Sequence, residues 1–272
     1  MIPFIDLQAQ RARIADKIDA AVSKVVRSGA YIFGPEVKQL EGQLATFAEA
    51  KHCIANANGT DALVLPLWAW GVAEGDAVFC PSFTFAATAE IVPWVQATPV
   101  FVDVLADTYN MDPASLEAAI AGVKKEGRLK PKVVIVVDLF GQPADYPAIA
   151  AICKREGLKL IADSAQGFGC TLNGKHPMHW ADAQTTSFFP AKPLGCYGDG
   201  GATLTNDDAE NVLMRSIAFH GASGDDKYNC ARIGMNSRLD TIQAAILIEK
   251  LAIFAEEITM RNEVADRYAQ ML

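Results

Sequence analysis

The sequence predicts an α/β domain built around a mostly parallel sheet. Short β-branched runs alternate with longer helical patterns along most of the chain. The composition also allows a large core, since 51% of the 272 residues are apolar and 21% charged.

The elements follow in order. Ile14, Ile18, Val22 and Val25 recur at helical spacing, and Gly29 supplies a stop. A second helix begins at Pro35, with Val37, Leu40, Leu44 and Phe47 on one face. Strand-like runs come next: HCIANA (52–57), AVFCP (77–81), TPVFVDV (98–104), KVVIVVDLF (132–140), LKLIADS (158–164), AQTTSFF (183–189) and GATLTN (201–206). Helical patterns separate several of them, as at Tyr146–Glu156 and Asp207–Phe219. In such sheets ligands collect beyond the carboxyl ends of the strands. From Asp240 to Leu272 the pattern is continuously helical, without a cap or closing strand. The expectation is a cofactor-binding domain over 1–240, with 241–272 leading toward a small further domain that the sequence lacks.

A net charge of −8 argues against a broad nucleic-acid or membrane surface, while leaving room for a local arginine pocket. The start of the chain has no basic cap followed by an apolar stretch, so a cytoplasmic location is expected. Cys53, Cys80, Cys153, Cys170, Cys196 and Cys230 are scattered, and most read as small buried hydrophobes in a reducing compartment.

Three segments carry candidate chemistry, each with an ordinary alternative. Asp163 ends the run LKLIADS, where a carboxylate can hydrogen-bond a ligand from a rigid strand or simply cap a helix. Lys192, in SFFPAKPLGCYGDGG, stands alone among aromatic, Pro and Gly residues. Burial there would lower its pKa and make it a nucleophile toward an aldehyde, whereas a surface turn would leave it inert. Gly59 and Thr60, in ANGTDAL, offer backbone N–H groups and a hydroxyl at a helix start, suited to phosphate or to a plain Asn-Gly turn. The chain contains no P-loop, and no strand leads into a dinucleotide fingerprint. His176 and His179 in HPMH read as a surface turn, Cys196 as packing, and Gly198–Gly201 as backbone geometry, so no metal site is expected.

A phosphate cup, a lysine and an acid partner are together what pyridoxal phosphate requires. Their order, with FIDL, GPEV, PSFTFAATAE, LFGQPAD, DSAQGFG and NSRLDTIQAAIL, resembles the fold-type I aminotransferases, and more narrowly the DegT/DnrJ/StrS sugar aminotransferases. The resemblance spans essentially the whole chain. It implies that Lys192 is the Schiff-base lysine and proton shuttle, and that Asp163 keeps the pyridine nitrogen protonated. It further implies that Ala165 and Phe85 cover the two ring faces and that Gln166 bonds the phenolic oxygen. Gly59, Thr60 and Ser187 would then hold the phosphate, with Asn236 reaching the phosphate of a neighbouring subunit in a homodimer. Glutamate would supply the amino group, through pyridoxamine phosphate, to a UDP-linked keto-sugar. SFFPAKPLGCYGDGG and NSRLDTIQAAIL look closest to enzymes acting on a 2-acetamido-3-oxo-hexuluronic acid in surface polysaccharide biosynthesis, such as lipopolysaccharide O-antigen. Arg238, with Arg232 as fallback, is the expected carboxylate partner. The alternatives are a neutral keto-hexose substrate, or a non-catalytic regulatory protein on the same fold. His220-Gly221 is a further family pairing without an assigned role.

Overall fold

The computed structural model describes residues 5–223 and 226–272, so Phe4 of the FIDL motif lies outside the described residues. Seven strands form one sheet: β1 (His52–Asn56), β2 (Asp76–Pro81), β3 (Thr98–Val102), β4 (Lys130–Val137), β5 (Lys159–Asp163), β6 (Ala183–Ser187) and β7 (Gly201–Thr205). Their spatial order is β1-β7-β6-β5-β4-β2-β3. Only β7 runs against the rest, antiparallel to both β6 and β1. A parallel neighbour needs a crossover, usually through a helix, and the loop 188–200 between β6 and β7 contains none. That loop carries Lys192.

Nine helices flank the sheet among the described residues: α1 (Leu7–Arg13), α2 (Ala15–Ser28), α3 (Pro35–Phe47), α4 (Gly59–Ala69), α5 (Ala87–Trp94), α6 (Pro113–Glu126), α7 (Tyr146–Glu156), α8 (Asp208–Ala218) and α9 (Thr241–Met271). A short hairpin, β8 (Ala222–Ser223) with β9 (Asp226–Cys230), follows α8. The two sheet faces explain the unbroken apolar run of β4. Val134 and Val136 pack with α6 and α7, while Val133 and Ile135 pack with α4 and α5 on the opposite face. Strands covered on both sides lose the alternation of a half-exposed sheet. α3 and α9 extend the first face over β1 and β7 through Leu40, Leu44, Leu247 and Phe254, and α8 extends the second through Met214 and Ile217.

The punctuation acts as the sequence expects. Gly29 closes α2 at φ 72°, its N–H donating to the Val25 carbonyl, and Pro35 opens α3. Helix α6 escaped the sequence reading although its signals are present: Asp112 caps it, Pro113 starts it and Gly127 ends it at φ 69°. Helix α9 opens at Asp240, and its residues through Ile258 pack into the core beneath α2 and α3. From residue 259 onward its side chains are exposed.

Strand β1 is a sheet edge with free backbone groups on its outer side. Glu41 accepts the Ala55 N–H at 2.8 Å, and Arg215 donates to the Cys53 carbonyl at 2.6 Å. The two side chains also pair with each other at 3.0 Å. Removing the acceptor leaves a partly buried N–H unsatisfied and takes the ion-pair partner from Arg215, which keeps its bonds to Cys53 and Asn211. Glu41→Ala is therefore expected to lower unfolding stability by about 1–3 kcal/mol in urea titrations, and Glu41→Gln by less. An unchanged midpoint in Glu41→Ala would mean that water replaces the carboxylate at this edge.

Candidate active site

The carboxyl ends of β5 and β6 meet the amino end of α4, and the candidate residues gather there. Asp163, the last residue of β5, is only 4% exposed. Its Oδ1 accepts the Ala165 N–H at 3.1 Å and its Oδ2 accepts the Thr88 hydroxyl at 2.9 Å. Burial pushes its carboxyl above the ordinary range, against the opposing pull of those two bonds and of the Lys192 charge. Lys192 is half-buried, and burial lowers its ammonium pKa while Asp163 pulls it back up. Each group's charge thus opposes the effect of burial on the other.

The expected phosphate cup is a close approach of two backbones. A Cβ at Gly59 would come within 2.6 Å of the Ser187 Cβ, and one at Gly201 within 2.4 Å of the Asn58 carbonyl oxygen. Asn58 caps α4 by accepting the Asp61 N–H at 2.8 Å. The N–H groups of Gly59 and Thr60, in the first helical turn, have no partner within the helix and sit at its positive end beside the Ser187 hydroxyl. The Gly201 contact also gives the last glycine of the GDGG run its physical purpose.

Ala165 and Gln166 occupy the turn that follows Asp163. Buried Asp138, at the end of β4, grips that turn: its Oδ2 accepts the Ser164 hydroxyl at 2.6 Å. Gly167 lies so close that a Cβ would meet the Asp138 Cβ at 2.3 Å. Gln166 Oε1 accepts the Phe140 N–H at 2.9 Å, which leaves its Nε2 as the end free to donate. Phe140 holds this position at φ 57°, in the left-handed region. Phe85 lies in the β2–α5 loop and is 67% exposed. It is tied toward Asp163 through Thr84, whose hydroxyl meets that of Thr88 at 2.9 Å. Thr88 and Asp138 are the site residues that sequence reasoning missed. The i, i+4 threonine pair and a second Asp at a strand end were the available signals.

Asn236, Arg238 and Arg232 stand apart, with no hydrogen bond or ion pair to Asp163 or Lys192 among the described residues. Asn236 is exposed, and its neighbour Ser237 accepts the Ala57 N–H at 3.1 Å, beside the cup. Arg238 lies half-buried near the rings of Phe33 and Phe219, each centroid 5.9 Å from its Cζ. Arg232 is exposed and donates to the Ser216 hydroxyl. His220 and Gly221 both adopt positive φ, and a Cβ at Gly221 would strike the Arg232 carbonyl oxygen at 1.8 Å. That pairing therefore shapes the turn into the hairpin. His179 bonds Lys175 at 2.9 Å, His176 packs near Phe47, and Cys196 is buried with its thiol pushed up to about 11.

The sequence matches the DegT/DnrJ/EryC1/StrS aminotransferase family over residues 12–272. The chain belongs to that family. It is 53% identical over 268 residues to the UDP-2-acetamido-2-deoxy-3-oxo-D-glucuronate aminotransferase of Pseudomonas aeruginosa, covering 98% of this chain and 72% of that one. A DegT/DnrJ/EryC1/StrS aminotransferase structure from Brucella abortus superposes with a TM-score of 0.97 at 55% identity, covering 99% of this chain and 72% of that one. The NtdA structure from Bacillus subtilis, with bound cofactor PMP, gives a TM-score of 0.91 at 31% identity over all of this chain and 60% of that one. The fold is that of fold-type I aminotransferases, as the sequence predicted.

The site fits pyridoxal phosphate on its own geometry. A buried carboxylate awaits a cation, a desolvated lysine stands near it, and a glycine-lined cup opens at a helix amino end. Labelling of Lys192 by pyridoxal phosphate and borohydride should rise with pH through a midpoint below that of an ordinary lysine. The Asp163 charge favours the protonated amine, so Asp163→Asn should move the midpoint further down. Peptide mapping across a pH series checks both, and an unshifted midpoint would mean that the two groups do not interact.

Proposed function

We propose that this chain moves an amino group from glutamate to a UDP-linked keto-sugar, with pyridoxal phosphate as carrier. The favoured acceptor is UDP-2-acetamido-2-deoxy-3-oxo-glucuronic acid, as the name of the Pseudomonas aeruginosa relative suggests. The observation that carries the reading is the buried Asp163 carboxylate and half-buried Lys192 on the sheet end that also carries the Gly59–Ser187 close approach. The cofactor, when bound, supplies an aldehyde and an electron sink.

The chain's own groups do the rest. Lys192 Nζ, whose ammonium burial makes easier to deprotonate, would hold the cofactor's aldehyde and would be placed to move a proton at the substrate carbon. Asp163, itself buried, would offer its carboxylate to the pyridine nitrogen and so favour a proton there. Gln166, its oxygen occupied by the Phe140 N–H, would donate from Nε2 to the phenolic oxygen. Gly59, Thr60 and Ser187 would hold the phosphate, and Phe85 and Ala165 would flank the ring. Asn236, exposed on its own subunit, completes the cup of a partner in a homodimer. We place the reaction in the cytoplasm; no described helix is long and apolar enough to cross a membrane.

Arg238 is the proposed carboxylate reader, because its planar guanidinium can make paired N–H bonds that a lysine cannot. It has no carboxylate partner among the described residues, so the anion it would pair with comes from elsewhere. Arg232 is less suited, being turned toward Ser216.

Borohydride fixation of the cofactor followed by peptide mapping tests the core of the reading. A label on a lysine other than Lys192 would sink it. Arg238→Ala is expected to cost roughly 2–3 kcal/mol in kcat/KM for the uronate and far less for a neutral keto-hexose nucleotide. An equal loss for both sugars would remove the support for a uronate. Lys192→Ala and Asn236→Ala should each be inactive alone yet recover activity as mixed dimers, where one site regains both residues. No recovery despite proven subunit exchange would assign Asn236 to its own subunit's site.

A further inference from the structure

Arg238 is set apart by its neighbours rather than by its lack of an ion pair. Arg11, Arg13, Arg128, Arg155, Arg215 and Arg261 sit in ion pairs, whereas Arg27, Arg232, Arg238 and Arg267 have none among the described residues. Arg238 is half-buried and has two aromatic rings for neighbours, with no carboxylate among the described residues. Asp240 is two residues away and exposed, yet the two do not pair.

The rings form a corner. Phe33 and Phe219 meet edge to face, their centroids 5.3 Å apart and their planes at 88°. Both are built into position by backbone contacts with the segment that carries Arg238. Thr241 donates its N–H to the Tyr31 carbonyl at 2.9 Å and accepts the Gly34 N–H on its hydroxyl at 3.1 Å. Gly34 is required there, since a Cβ would lie 2.5 Å from the Thr241 Cγ2. On the other side Phe219 bridges to Asn236, and Ser237 donates its N–H to the Ala218 carbonyl at 2.9 Å. Phe33 sits at φ 55°, unfavourable for a bulky side chain, and remains 57% exposed. A strained aromatic left largely in water contributes little to the core, which leaves its place beside the guanidinium as the feature it serves.

We propose that Phe33 and Phe219 are specificity-determining positioning residues, which hold the Arg238 guanidinium open toward the carboxylate of a uronate nucleotide. The inference rests on the reading of Arg238 given above. The ring contacts lie near the outer limit of a cation–π interaction, so the rings set direction more than strength. A guanidinium fixed in orientation loses less freedom when a planar carboxylate arrives, and that gain is absent for a neutral sugar.

The test is calorimetric binding of UDP-glucuronate and UDP-glucose to the cofactor-loaded protein. The two probes differ by a carboxylate alone. Phe33→Asn and Phe219→Leu should each weaken UDP-glucuronate on the order of fivefold and leave UDP-glucose unchanged. In an Arg238→Ala background the same changes should add nothing. Phe33→Asn also places a residue that tolerates left-handed backbone at a strained position, so its melting temperature should hold or rise while uronate preference falls. If Arg238→Ala is selective but the ring variants keep the wild-type ratio, the ring inference is overturned and the Arg238 reading stands. Ring variants that weaken both nucleotides alike overturn it too, as a general structural effect. Equal weakening of both nucleotides by Arg238→Ala itself removes the reading and the inference together.

Discussion

The site depends on one buried carboxylate. Asp163 sits at the end of a central strand, away from water, with two hydrogen bonds and a lysine charge that only partly offset its desolvation. A charge held in that way is costly unless a cation completes it. The surrounding structure is arranged to keep it there: Thr88 reaches in from α5, Ala165 turns its N–H back, and the Lys192 loop closes from β6. Burial thus costs stability at this residue, and in the proposed function a pyridinium would offset that cost.

The glycines set the distances. Ser187 can stand beside the first turn of α4 because residue 59 has no Cβ, and β7 can begin against Asn58 because residue 201 has none. The antiparallel return of β7 follows from a helix-free loop, and the same loop presents Lys192 over the sheet end. Topology and chemistry share this segment. Asp138 extends the logic one strand further, gripping the Ser164–Gly167 turn so that Gln166 has a fixed donor end.

Much of this was legible in the chain. The seven strand runs appear where the sequence placed them, as do the helices opened by Pro35 and closed by Gly29, because apolar periodicity and punctuation are local properties. The family resemblance added the roles proposed for Lys192 and Asp163; the structure shows the first half-buried and the second buried. Helix α6 was missed for want of weight given to its Asp112–Pro113 start, and Thr88 because a threonine on a helix has no chemistry until a carboxylate faces it.

The sequence by itself determined the layered α/β architecture, the cup segment, the lysine loop and the acid at the strand end. Each is encoded within a few consecutive residues. Only the tertiary structure decided that β7 runs backward, that Asp138 holds the turn of Gln166 and that Phe33 meets Phe219 beside Arg238. Phe33 and Arg238 lie on elements far apart in sequence, brought together by the crossing of 31–34 with 240–241. Contacts of that kind are products of packing rather than of pattern, since nothing local in either segment specifies the other.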